Sequence, residues 1–192
     1  GAFVVVGGRD GRSAAPTPAV ELFDPGAGRW KVLPQTPFAP LGCSACTLHG
    51  KMYVVGVSAE REMAVGQLDP KSCEWSLMTA LPKQRFGCAA AAVGGVIYVV
   101  AGHDGNQSVQ LAECFDLVRG RGRGYWESLP PAPTARHGCT ATSAAGKLYV
   151  LGGDARESMN AAERFDPARQ CWELLPPMPT GRFGCAAAAA WC

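Results

Sequence analysis

No apolar run in the sequence approaches the roughly 20 residues of a membrane-crossing helix. The longest, residues 88–93, is Ala-rich and ends at Gly94-Gly95. Charge of one sign is missing too. The 18 Lys+Arg stand against 16 Asp+Glu, a formal net charge of +2, which is too balanced to make nucleic acid or an anionic membrane the expected partner. Any electropositive site must come from local placement. Residues 1–8 lack a basic start and run straight into a strand pattern, so they read as structure and not as a signal peptide. No Gly-rich phosphate loop, Ser/His/Asp set or paired-carboxylate motif stands out. The expectation is a chain that is not an enzyme and carries no cofactor. Nine cysteines is an odd number, which argues against a fully paired disulfide framework and for a reducing, cytoplasmic setting. What remains is 47% apolar and 18% charged, the balance of a folded globular domain.

What the sequence does contain is a repeat. Gly-Cys occurs at Gly42-Cys43, Gly87-Cys88, Gly138-Cys139 and Gly184-Cys185. Each of these glycines follows a tryptophan at one constant spacing: Trp30, Trp75, Trp126 and Trp172. At a second constant spacing past the first three glycines an apolar strand ends, at Val57, Gly102 and Gly153. Val4-Val5-Val6-Gly7-Gly8 is a fourth copy of that strand. From strand end to the aspartates Asp24, Asp69, Asp116 and Asp166 the spacing changes from copy to copy. A fixed part and a variable part repeating together mean a rigid sheet with one adjustable loop face, where binding usually sits. Each unit reads as four short strands ended by glycine turns, Asp-Pro turns and a closing proline (Pro37, Pro82, Pro133, Pro179), because proline cannot donate to a sheet ladder. Short strands with no helical period make the chain all-β, and four strands in each repeat make a propeller blade.

These residues carry a family resemblance. A glycine pair after an apolar strand, a hydrophobic residue before Asp-Pro, and a spaced Trp followed by Leu-Pro-Pro-x-Pro together resemble the Kelch repeat. Residues 149–153, 163–167, Trp172 and 175–179 form the fullest copy. The copies depart from the pattern where Val57 and Ala101 break the double glycine and where Leu117 follows Asp116 in place of proline. The physical expectation is that each Trp fills the space between blades, and that each Asp closes its own turn. The expected architecture is a single Kelch β-propeller, residues 1–192, with four four-stranded blades. These are residues 184–192 with 1–37, then 41–82, 86–133 and 137–179. Because the chain starts and stops at one phase of the repeat, residues 184–191 are expected to supply the innermost strand of the first blade and close the ring. The alternative is part of a six-bladed ring.

The resemblance implies a protein-interaction module. In adaptors of cullin-type ubiquitin ligases that it resembles, arginines on the loop face grip acidic peptides. Arg85, Arg136 and Arg182 each stand just before a channel glycine, with one residue between. They are expected to converge on the channel mouth, where a guanidinium fork suits a carboxylate. The variable loops add Arg9, Arg12, Arg61, His103, Asn106 and Arg156 to the expected partner-binding set. The expected partner is a protein or peptide, acidic or polar, with no nucleic acid and no membrane; oligomeric state is open. A cytoskeletal or scaffold Kelch protein is the second reading. A metal-binding propeller enzyme is the third, resting on Cys43, Cys88, Cys139 and Cys185 at one phase of the innermost strand. Buried cysteine acting as a small apolar residue is the commoner use of such positions, so no metal is expected.

Overall fold

The computed structural model describes residues 2–9, 11, 15–38, 41–57 and 62–190. Among them every regular element is a strand. The first sheet holds β1 (Phe3–Val6), β2 (Val20–Asp24) and β3 (Arg29–Leu33). The second holds β4 (Leu41–Leu48), β5 (Lys51–Val57), β6 (Met63–Asp69) and β7 (Glu74–Leu77). The third holds β8 (Ala89–Val93), β9 (Val96–Val100), β10 (Ala112–Asp116) and β11 (Tyr125–Ser128). The fourth holds β12 (Thr140–Ala144), β13 (Lys147–Leu151), β14 (Ala162–Asp166) and β15 (Cys171–Leu175). Each sheet is an antiparallel meander in chain order. The all-β, bladed architecture expected from the repeat is present.

The turn chemistry explains the regularity. Asp24, Asp69, Asp116 and Asp166 each accept, through Oδ1, the backbone N–H two positions on, and Asp24, Asp116 and Asp166 also the next one. The side chain mimics a backbone turn, so Asp116 holds its turn although Leu117 replaces proline. At the strand exit Gly152 and Gly153 sit at φ 66° and 104°, and Ala101 with Gly102 at 63° and 114°. Ala101 therefore occupies a left-handed backbone that favours glycine.

Packing joins the blades through three apolar layers among the described residues. The first-to-second layer includes Val20, Leu33, Phe38, Met52, Val54 and Leu68. The second-to-third includes Tyr53, Val55, Val65, Ile97, Val99 and Phe115. The third-to-fourth includes Tyr98, Val100, Leu148, Val150 and Phe165. Tryptophan stitches each layer. The indole Nε1 of Trp75 donates to Pro34 O, that of Trp126 to Thr79 O and that of Trp172 to Pro130 O, each at 2.9 Å.

Two expectations about ring closure are corrected. Among the described residues the first sheet has three strands and residues 185–190 belong to no strand, so those residues do not complete the first blade. A closed four-blade ring also needs a fourth apolar layer, between last and first blades, and the described residues form three. Equal phase at both ends permits closure but does not supply the packing that would drive it. Among the described residues the four blades form an open arc.

Candidate functional site

The inner edge of the arc is built on glycine. Gly87 N–H donates to Gly42 O at 3.3 Å, Gly138 N–H to Gly87 O at 2.8 Å and Gly184 N–H to Gly138 O at 2.8 Å. Neighbouring blades approach so closely that a Cβ at Gly42 or Gly87 would meet the next glycine's nitrogen at 3.2 Å. Just inside this line, Cys43, Cys88, Cys139 and Cys185 border a cavity of about 420 Å³. All four are free thiols. Burial pushes the Cys88 thiol up and that of Cys139 up to about 12. Buried cysteine of this kind serves as a small apolar residue beside the channel.

Two of the three arginines expected at the mouth are elsewhere. Arg85 and Arg136 are fully buried, 0% exposed. Arg85 pairs with Glu113 and donates to Val99 O at 3.3 Å. Arg136 pairs with Glu163 at 2.5 Å and donates through Nη1 to Gly152 O (3.1 Å) and Ala161 O (3.3 Å). Each guanidinium leans back into its own blade, ties the inner loop to the third strand, and cannot reach a partner. Blade two has neither half of this pair: Pro40 and Gly66 stand at the two positions, and Trp75 and Phe38 crowd the space a side chain at Gly66 would need. Arg182 is exposed and has no ion-pair partner among the described residues.

The mouth is occupied by the residue after each arginine. Successive residues of an extended chain point to opposite sides, so burying Arg85 and Arg136 turns Phe86 and His137 outward. Phe86 stacks on His103 at 5.0 Å, His103 meets His137 edge-on at 5.2 Å, and His137 meets Phe183 edge-on at 5.4 Å. This aromatic ladder runs around the mouth and borders a cavity of about 610 Å³ shared with Val6, Arg9 and Cys43. Phe86 and Phe183 remain 37% and 53% exposed.

The variable loops join the same face, as their position after the second strand predicts. Phe86 and His103 exchange backbone bonds at 3.0 and 2.9 Å, and His137 and Asp154 do so at 2.9 Å each way. Asp104 Oδ1 accepts the N–H groups of Asn106 and Gln107, which holds its carboxyl below the usual range. His103 Nδ1 accepts Gly105 N–H at 3.1 Å, which leaves Nε2 as the protonated nitrogen of the neutral ring. Ser108 Oγ–H donates to Asp154 O at 3.1 Å, so the 2.9 Å contact with His137 Nδ1 requires that nitrogen to be the donor. The His103 ring is thus held by loop backbone and the His137 ring by the Ser108 hydroxyl.

Of the expected binding residues, the structure gathers His103 into the ladder and Arg9 onto its cavity wall. Asn106 and Arg156 are exposed on the adjoining loops, and Arg182 is beside Phe183. Arg85 and Arg136 are removed. Arg12 and Arg61 lie outside the described residues. Phe86, His137 and Phe183 were missed. Their signal was present as a large ring at one repeat phase, directly before three of the four channel glycines, with Leu41 before Gly42.

Known proteins share this pattern. Kelch domain-containing protein 8B of Rattus norvegicus is 44% identical over 61 residues, 31% of this chain and 16% of that protein. Kelch-like protein 35 of Mus musculus is 27% identical over 168 residues, 86% of this chain and 28% of that protein. The chain therefore spans well under a third of these relatives' length. Among solved structures, that of YjhT superposes with a TM-score of 0.82 at 16% identity, over 98% of this chain and 71% of that one, which shows the fold. The profile of the KLHDC2/KLHL20/DRC7 Kelch-repeats domain matches residues 1–191. The chain belongs to that Kelch-repeat family, whose domains are generally protein-interaction modules.

Proposed function

We propose that the chain binds an extended peptide segment of a partner protein at the channel mouth. The observation that carries this reading is the exposed aromatic ladder Phe86–His103–His137–Phe183. Large rings left in water beside a cavity are anchors for an apolar or aromatic side chain of a ligand. The rigid backbone frame under His103 and His137 reduces the ordering cost of docking. Arg9, Arg156 and Arg182 flank the anchor with positive charge, which favours acidic residues to either side of it. The ligand is an apolar residue in an acidic or polar context, held mainly by rings and only peripherally by charge.

Substrate recognition for a cullin-type ubiquitin ligase is the biological role this reading favours, with a scaffold role as the alternative. Co-precipitation of a cullin with the full-length gene product separates them. The eight free cysteines among the described residues support a reducing compartment such as the cytoplasm. The site itself is tested by quantitative affinity capture with wild type and Phe86→Ala/Phe183→Ala as baits. The same partners must drop out of the variant capture; an unchanged partner set contradicts the site.

A further inference from the structure

The third blade carries a segment that its neighbours lack. From Asp116 to Trp126 the chain is longer than from Asp24 to Trp30, Asp69 to Trp75 or Asp166 to Trp172, where the spacing is constant. The extra length falls within Arg119-Gly120-Arg121-Gly122-Arg123-Gly124. Of all the arginines in the sequence, only Arg121 and Arg123 have glycine on both sides. The segment lies in the β10–β11 turn, at the end of β10 opposite the β9–β10 loop that joins the mouth. It is therefore remote from the aromatic ladder and has no part in the peptide site.

The base of this loop is fixed and its tip is open. Asp116 Oδ1 accepts the N–H groups of Val118 and Arg119 at the start. At the far end the second blade holds it: Thr79 N–H donates to Arg123 O at 3.2 Å, and Thr79 Oγ–H to Arg123 O and Gly124 O, each at 3.0 Å. A Cβ at Gly124 would run into the Phe115 ring, and one at Gly120 into the Gly124 backbone, so packing accounts for those two glycines. Packing does not account for the arginines. Arg119 is occupied by an ion pair with Glu127. Arg121 and Arg123 are exposed, and neither guanidinium has an ion-pair or hydrogen-bond partner among the described residues. Arg121 is at the tip, where its N–H donates to Val118 O at 3.2 Å and the Arg123 N–H to Gly120 O at 3.0 Å. These are local bonds of an exposed turn, which open at little cost. Beside it a Cβ at Gly122 would meet nothing within 4 Å.

We propose that Arg121 is a methylation site, the substrate of an arginine N-methyltransferase that uses the sulfonium donor S-adenosylmethionine. Such an enzyme must take one guanidinium into a narrow pocket, and neighbours without a Cβ let its walls close on the backbone from either side. In the transfer a guanidino nitrogen of Arg121 gives its proton to a base of the enzyme and attacks the donor methyl. A C–N bond forms, the C–S bond breaks with its electron pair left on sulfur, and the products are methylated guanidinium, the neutral thioether and the released proton. Arg123 has the same flanking glycines, but its carbonyl is tied to Thr79 and it stands at the fixed base of the loop, which makes it the poorer acceptor. The methyl groups keep the positive charge and remove donors, so the modification tunes carboxylate or phosphate contacts at this face without altering the mouth.

The test incubates the folded chain with an arginine methyltransferase active on glycine–arginine peptides and with S-adenosylmethionine labelled in its methyl group. Peptide mass spectrometry then places the label. Arg121 must be methylated about tenfold or more faster than Arg29 and Arg156, which are exposed but not flanked by glycine on both sides. Arg121→Lys must remove most of the incorporation, and Arg123→Lys must leave most of it. Circular dichroism matching wild type confirms that both variants fold. Three results overturn the proposal. One is no label on the folded chain, including label that appears only after heat unfolding. Another is label spread evenly over Arg29, Arg121 and Arg156, and the third is incorporation that survives Arg121→Lys.

Discussion

Removing one side of the Arg136–Glu163 pair decides whether this arginine is scaffold or ligand contact. Both side chains are 0% exposed, and Arg136 also serves the carbonyls of Gly152 and Ala161. Glu163→Leu leaves a buried guanidinium without its counter-ion, at a cost of about 3–5 kcal/mol. Arg136→Met strands Glu163 in the same way and removes a donor from two carbonyls. The double substitution Arg136→Met/Glu163→Leu leaves no buried charge, and its remaining loss is that of the carbonyl bonds, about 1–3 kcal/mol. The double variant is therefore more stable than Glu163→Leu alone, a non-additivity that independent sites do not show. Urea denaturation followed by tryptophan fluorescence reads it as a midpoint lowered by about 1–3 M in the single variants and partly restored in the double. Additive losses, or a cost below about 1 kcal/mol for Glu163→Leu, would refute the reasoning and return Arg136 to the list of contacts open to a partner.

Three other outcomes follow from the same geometry. Trp126→Phe removes the indole donor to Thr79 O and lowers stability by about 1–2 kcal/mol, whereas Trp30→Phe, with no acceptor among the described residues, changes the urea midpoint of the monomeric chain little. Ala101→Gly relieves a left-handed alanine at φ 63° and raises stability by about 0.5–1 kcal/mol, read as a higher melting temperature; a lower one contradicts the backbone assignment. Asp69 is held below the ordinary carboxylate range by the backbone N–H of Lys71, Asp104 by those of Gln107 and Asn106, Asp166 by Lys147 and Glu173 by Arg164. Folded-state values below the unfolded ones mean that their contribution is present above the ordinary range and lost as pH falls through the folded values. The urea midpoint should therefore drop below about pH 4, and a midpoint that rises on acidification contradicts it.

The blades were legible because their determinants are local. A positive-φ glycine or an aspartate closing its own turn acts within a single turn of chain, so its spacing survives in the sequence. The arginines were misplaced because their partners are distant along the chain, on the third strand of the same blade. Only the shared loss of both members in blade two, Pro40 with Gly66, marks the pairing in the sequence. Reading Arg85 and Arg136 as outward also hid Phe86 and His137, since adjacent residues of an extended chain cannot both face the mouth. Closure is not legible in the same way. Phase is a property of the repeat, whereas a ring also needs a face for Trp30, Phe3 and Val5 to pack against.

The most direct test of the mouth as a peptide site is calorimetric titration of a peptide enriched from a random display library on wild type. Loss of either ring is expected to cost about 2 kcal/mol or more, roughly thirtyfold in Kd, for Phe86→Ala and for Phe183→Ala. Gln170→Ala, in the β14–β15 turn, should leave binding unchanged. Wild-type affinity in both phenylalanine variants, or an equal loss with Gln170→Ala, would place the binding surface elsewhere on the arc.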